Sequence, residues 1–144
     1  MDYTIREAGI NDSESIHELS TQLGYETSIA AVRNRLQKIL ENQDNCVYVA
    51  INSGRVVGWI HGFYTMRVET DFFVEIGGLV VHEHFRKHGI GKKLADKVIE
   101  WAVSRNCLHV RVRCNVIRKE SHRFYETIGF EMNKEQKIFN KRLH

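Results

Sequence analysis

Apolar and polar positions alternate over residues 3–8, Tyr-Thr-Ile-Arg-Glu-Ala, the period-two mark of a strand. Asn11, Asp12 and Ser13 are capping residues ahead of Ile16, Leu19 and Leu23 at helical spacing. Gly24 and Tyr25 interrupt that pattern. Ser28 then precedes Ile29, Val32, Leu36, Ile39 and Leu40, which predict a second amphipathic helix. Two apolar runs, residues 46–51 and 56–66, flank Asn-Ser-Gly-Arg and predict two strands around a tight turn. Residues 72–81, Phe-Phe-Val-Glu-Ile-Gly-Gly-Leu-Val-Val, predict a further strand. From Ile90 the apolar positions Leu94, Val98, Trp101 and Ala102 predict a helix of about four turns. A short strand follows over 107–114. A helix over 121–128 ends at Gly129, the expected place for a C-terminal glycine. A last strand is expected over 137–143. Hairpins mixed with crossover helices indicate an α+β fold rather than a doubly wound sheet.

The 144 residues carry no proline, repeat or linker-like tract, so one domain over 1–144 is expected. The apolar share of 42% and charged share of 27% are those of an ordinary globular chain. Cys46, Cys107 and Cys114 are odd in number and widely spaced, with no basic-then-apolar leader, which points to reduced thiols and a cytoplasmic location. No apolar run approaches the roughly 20 residues of a membrane span, so no membrane partner is expected. A net charge of +3 permits an anionic ligand, but nucleic-acid binders show a denser basic face, and no nucleic acid is expected.

The most unusual stretch is His-Phe-Arg-Lys-His-Gly-Ile-Gly-Lys-Lys, residues 84–93, where a strand hands over to a helix. Early helix amides lack internal partners and carry the positive end of the dipole, and glycine lets an anion approach them. The stretch can therefore cradle a phosphate. A P-loop needs glycine where Arg86 stands and Ser or Thr in place of Lys93. A dinucleotide fingerprint needs glycine where Leu94 stands and an acid where Arg111 and Arg113 lie. Neither pattern fits.

Arg86-Lys87-His88-Gly89-Ile90-Gly91 does fit R/Q-x-x-G-x-G/A, and so resembles the pyrophosphate loop of the GNAT family of acetyl-CoA-dependent N-acetyltransferases. Residues 118–130, ending Phe-Tyr-Glu-Thr-Ile-Gly-Phe, resemble that family's later segment. The resemblance implies a central mixed, mostly antiparallel sheet with a splayed parallel strand pair, flanked by about four helices. It implies acetyl-CoA as cosubstrate and no metal. Leu79, Val80 and Val81 would pair their backbone with the pantetheine arm. Arg86, Lys87, His88, Gly89, Ile90 and Gly91 would hold the pyrophosphate, and Asn115 would reach the cofactor. Tyr125 would protonate the leaving thiolate, a role that suits an O–H donor beside developing charge. The chain departs from the pattern at Glu83, where many members carry proline, at Lys87-His88, where Gly-Lys is frequent, and at Arg118, where many carry asparagine. Arg118 with His122 resembles a branch that includes some aminoglycoside acetyltransferases.

The implied acceptor is a primary amine, of a small molecule in the first instance. A protein or peptide amine, and a non-catalytic acyl-CoA-binding module, stand as alternatives. A homodimer is a possible assembly. An amine of pKa near 10.4 is under about one part in a thousand free at pH 7, so a base is needed. Glu75 interrupts an apolar run with the same sequence parity as Leu79 and Val81, which makes it the candidate, with a water chain as the other route. Trp59 and His61 share a strand face that could line the acceptor pocket. His82, His84 and His88 cross a strand end and a loop, a poor spacing for metal ligation.

Overall fold

In the computed structural model, which describes residues 1–144, five strands form one sheet in the order β1-β2-β3-β4-β5. They are β1 (Thr4–Glu7), β2 (Asn45–Asn52), β3 (Arg55–Thr65), β4 (Phe73–Val81) and β5 (Val110–Val112). The helices are α1 (Ser13–Thr21), α2 (Ile29–Glu41), α3 (Ile90–Ser104) and α4 (Lys119–Thr127). The first four strands are antiparallel and β4–β5 is parallel. The chain divides into two compact units, Met1–Val112 and Arg113–His144.

Local chemistry sets the boundaries in the first unit. Ser28 accepts the amide of Ala31 at 3.0 Å and starts α2. Ser53 and Gly54 both have positive φ, 49° and 76°, so the β2–β3 connection is a primed turn that matches the strand twist. Gly58 and Gly62 of β3 face α3. A Cβ on Gly62 would lie 2.8 Å from Val98 Cγ1, and one on Gly58 would lie 3.2 Å from Leu94 Cδ1. These glycines allow α3 to settle onto the sheet, with Ile60, Ile90, Leu94 and Val98 fully buried between them. The opposite face carries Val47, Val49 and Trp59, packed with Ile16 of α1 and Leu36 of α2.

The β3–β4 ladder shifts register between His61 and Gly62: His61 pairs with Gly78, and Gly62 with Ile76. Gly77 is the extra residue of a β-bulge. The bulge reverses the parity expected from sequence. Glu75 pairs with Phe63, on the face of His61 and Trp59, whereas Leu79 pairs with Ile60 on the α3 face. Glu75 therefore does not share a face with Leu79 and Val81. The parallel ladder to β5 ends at Ile76–Val112, where the bulge begins, although β4 runs on to Val81.

In the second unit, α4 closes on Gly129, whose φ is 101°. Phe130 N–H bonds Tyr125 O at 2.9 Å and Gly129 N–H bonds Glu126 O at 3.1 Å, the paired bonds of a Schellman stop. The strand expected over 137–143 is not formed. Residues 131–144 contain no regular element, and Ile138 and Phe139 are 84% and 89% exposed. A strand exists only where a neighbour takes its backbone groups, and all sheet pairing lies within β1–β5.

Candidate functional site

The loop after β4 is held from both ends. His82 N–H bonds Val57 O at 2.8 Å, and its Nδ1 accepts the amide of His84 at 3.1 Å. Its Nε2 lies 3.2 Å from Arg55 Nη2. With only 8% of this residue exposed and two donors facing its ring, burial foremost and then the Arg55 charge hold the imidazole below its ordinary range. Arg86 Nε donates to Val81 O at 3.2 Å, which folds the side chain back onto the end of β4. Lys87 and Gly89 both take left-handed backbone, φ 67° and 79°.

Gly89 is the N-cap of α3, and the first helical bond runs from Lys93 N–H to its carbonyl at 3.0 Å. The amides of Ile90, Gly91 and Lys92 precede that bond and have no acceptor within the helix. A Cβ on Gly89 would meet only Tyr3 Oη, at 3.8 Å, so space lies open beside those amides. Lys92 is already paired with Asp96 at 2.9 Å, while Arg86, Lys87, His88 and Lys93 are exposed around the turn. Backbone donors, a dipole end and exposed basic side chains are together the parts of an anion cradle.

A second constellation lies on the α1–α2 face at the bulge. A Cβ on Gly78 would sit 2.6 Å from Trp59 Cη2, and one on Gly77 would sit 3.0 Å from His61 Nδ1 and Phe63 Cε1. The glycine pair is what lets three rings lie against the strand. Trp59 Nε1 is buried without a hydrogen-bond partner. His61 Nε2 lies 2.7 Å from Asn45 Oδ1, so it carries the proton and Nδ1 keeps its lone pair. Burial holds this imidazole below its ordinary pKa, in its neutral form. Glu75 belongs to the same face through its pairing with Phe63. The sequence showed the Gly-Gly doublet, but not the bulge or the Asn45 contact.

In the second unit, Tyr125 stacks edge-on against Phe124 and Phe130, with ring centroids 5.0 and 5.5 Å apart. Burial pushes its phenol well above the ordinary range, Cys114 adds to the shift, and Arg118 opposes it. The hydroxyl therefore stays protonated throughout the physiological range. Asn115 Oδ1 accepts Ile117 N–H at 3.1 Å, and its carbonyl meets His122 Nε2 at 2.8 Å. The side chain of Asn115 thus shapes the turn before α4.

The Acetyltransferase (GNAT) family model matches residues 13–130. Zebrafish (Danio rerio) N-acetylaspartate synthetase is 35% identical over 86 residues, 60% of this chain and 29% of that protein. The human protein of the same name is 33% identical over 94 residues, 65% of this chain and 30% of its own. The chain thus spans less than a third of the length of these curated relatives. Among solved structures, an aminoglycoside N-acetyltransferase, AAC(6')-Iy, in complex with CoA superposes with a TM-score of 0.89 at 20% identity, over 99% of this chain and 96% of that one. The likeness in sequence covers both the glycine turn of α3 and the α4 segment, and this chain belongs to the GNAT acetyltransferase family.

Proposed function

We propose that the protein moves an acetyl group from acetyl-CoA to the primary amine of a small molecule, by direct attack with both substrates bound. The observation that carries this reading is the left-handed Gly89 at the start of α3, with open space beside three free amides. That turn suits the pyrophosphate of CoA, with Arg86, Lys87 and His88 around it and Ile90 and Gly91 supplying backbone donors. Leu79, Val80 and Val81 lie beyond the end of the β4–β5 ladder, which leaves their backbone as the natural edge for the pantetheine amides. Asn115 is a further contact through its side-chain amide. The family match runs across both units, which supports one catalytic domain over 1–144.

Acetyl-CoA, when bound, supplies a thioester carbonyl to the free amine. The chain's own groups handle the protons. Glu75 is assigned to take the ammonium proton, directly or through water, on the face that also carries the His61 lone pair. Tyr125 is assigned to give its proton to the departing thiolate, a role suited to a phenol that burial keeps protonated. Acetyl-CoA should raise the melting temperature and NAD should not. Thiol release should then require an added amine. Equal stabilisation by NAD and acetyl-CoA would remove the cofactor assignment.

A further inference from the structure

Acetyl transfer to an ammonium takes two protons off its nitrogen. Glu75 accounts for the first, which frees the lone pair for attack. Attack on the thioester carbon forms the C–N bond and leaves the nitrogen positively charged. A second proton must leave that nitrogen as the C–S bond breaks, so that a neutral amide remains. Tyr125 serves the other side of the reaction, where the thiolate gains a proton. The second nitrogen proton therefore needs its own acceptor, and a base that titrates near neutrality suits the task.

His61 is held for that role from both sides of its ring. Nε2 donates to Asn45 Oδ1 at 2.7 Å, from the first residue of β2, so the lone pair is fixed on Nδ1. Phe63 packs on the imidazole with ring centroids 5.5 Å apart and limits its rotation. The Nδ1 side faces Gly77, where a Cβ would lie 3.0 Å away. Gly77 is exposed and His61 is half-buried, so the lone pair borders the surface at the bulge and not the core. The bulge is also where the β4–β5 ladder stops, at Ile76–Val112. A pantetheine arm that leaves the Gly89 turn and runs back along Val81, Val80 and Leu79 carries its thioester toward Gly77. We propose that His61 is a catalytic residue whose Nδ1 takes the second proton from the acceptor nitrogen, with Asn45 as the positioning residue that fixes its tautomer. The other titratable side chains on this face are Glu75 of β4 and, from α1, His17, whose Nε2 lies 2.8 Å from Thr27 O. Burial is what holds the His61 imidazole below its ordinary pKa, and it leaves the ring neutral and able to accept at pH 7.

The proposal rests on the acetyl-transfer reading, and the test separates the two. Thiol release from acetyl-CoA is followed across the pH range with neomycin, spermidine, L-aspartate and glycinamide as acceptors. For an amine that turns over, His61→Gln should lower kcat by about 10²–10⁴, the scale of general-base loss, while the melting rise given by acetyl-CoA holds. The wild-type kcat should fall on the acid side as the ring protonates. Asn45→Asp should move that acid limb to higher pH, because a carboxylate beside Nε2–H favours the imidazolium. A merely structural Asn45 would leave the limb in place. A wild-type kcat in folded His61→Gln with chemistry limiting, or an unmoved limb in Asn45→Asp, overturns the role of His61 and leaves acetyl transfer standing. Absence of stabilisation by acetyl-CoA overturns the acetyl-transfer reading instead. Nitrogen–proton correlation NMR on the wild type covers a variant that fails to fold and a panel without turnover. Nε2 should carry the proton and Nδ1 should be bare at neutral pH, with the ring titrating below the ordinary value near 6.5. A proton on Nδ1, or a ring that does not titrate on acidification of the folded protein, overturns the proposal.

Discussion

Replacing Gly78 by alanine tests the packing of Trp59 on the sheet face proposed to receive the acceptor. The new methyl would lie 2.6 Å from Trp59 Cη2 and 2.9 Å from Cζ3. Carbon atoms prefer 3.5–4.0 Å, so the indole must move by about 1 Å. The indole has little room to do so, because it packs against the Ile16, Leu36, Val47 and Val49 cluster. Overpacking of this kind costs about 1–3 kcal/mol. Alanine recovers roughly 0.5–1 kcal/mol by restricting the unfolded chain. The net loss should be about 0.5–2 kcal/mol, or a melting temperature lower by roughly 2–8 °C for a chain of this size. The assay is thermal and urea unfolding beside Gly9→Ala, where a Cβ meets nothing within 4 Å and little change is expected. Because the same ring lines the proposed acceptor pocket, KM for the acceptor should rise while acetyl-CoA affinity holds. A Gly78→Ala protein as stable as the wild type, with unchanged tryptophan emission, would show that the ring is not locked against the strand.

Gly89→Asp should abolish acetyl-CoA binding in a folded protein, since its carboxylate would occupy the anion turn and its Cβ would strain a φ of 79°; unchanged affinity by calorimetry would refute the loop's role. Tyr125→Phe keeps the ring contacts and should leave melting nearly unchanged while kcat falls by about 10²–10⁴, with the lower end favoured because a thiolate is already a tolerable leaving group. A wild-type kcat with chemistry limiting would leave Tyr125 a packing residue. His61 and His82 both have folded pKa values below the unfolded value near 6.5, so the unfolded state binds more protons as pH falls. Their contribution to stability should be complete above pH 6.5 and shrink below it, and His82→Gln should flatten that slope in urea unfolding measured from pH 7.5 to 5. Asp12 accepts two bonds from Arg6 and one from the Gly9 amide, which together hold its carboxyl below the usual range. Asp12→Asn should cost about 1–2 kcal/mol above pH 4 and less as pH drops further, since Arg6 is half in water and its share is screened.

Most elements of this fold were legible along the chain because their causes are local. Ser28 caps α2 through its own side chain, Ser53-Gly54 supplies the two left-handed residues of a hairpin, and Gly129 stops α4 by its freedom at positive φ. The glycine turn at the start of α3 was legible for the same reason, since Gly89 is needed for a left-handed backbone state set locally. What sequence could not decide depended on partners far away in the chain. The run at 137–143 has a strand's composition and no strand, because pairing is a property of two segments. Glu75 changed faces because one residue, Gly77, bulges where His61 and Phe63 press on β4 from β3. The pairing of Arg67 with Arg111 over Phe73 joins residues from a hairpin and a parallel crossover, some forty positions apart, and no spacing rule along the chain connects them. Periodicity fixes which side of its own element a residue occupies, but only the register between strands fixes which residues meet.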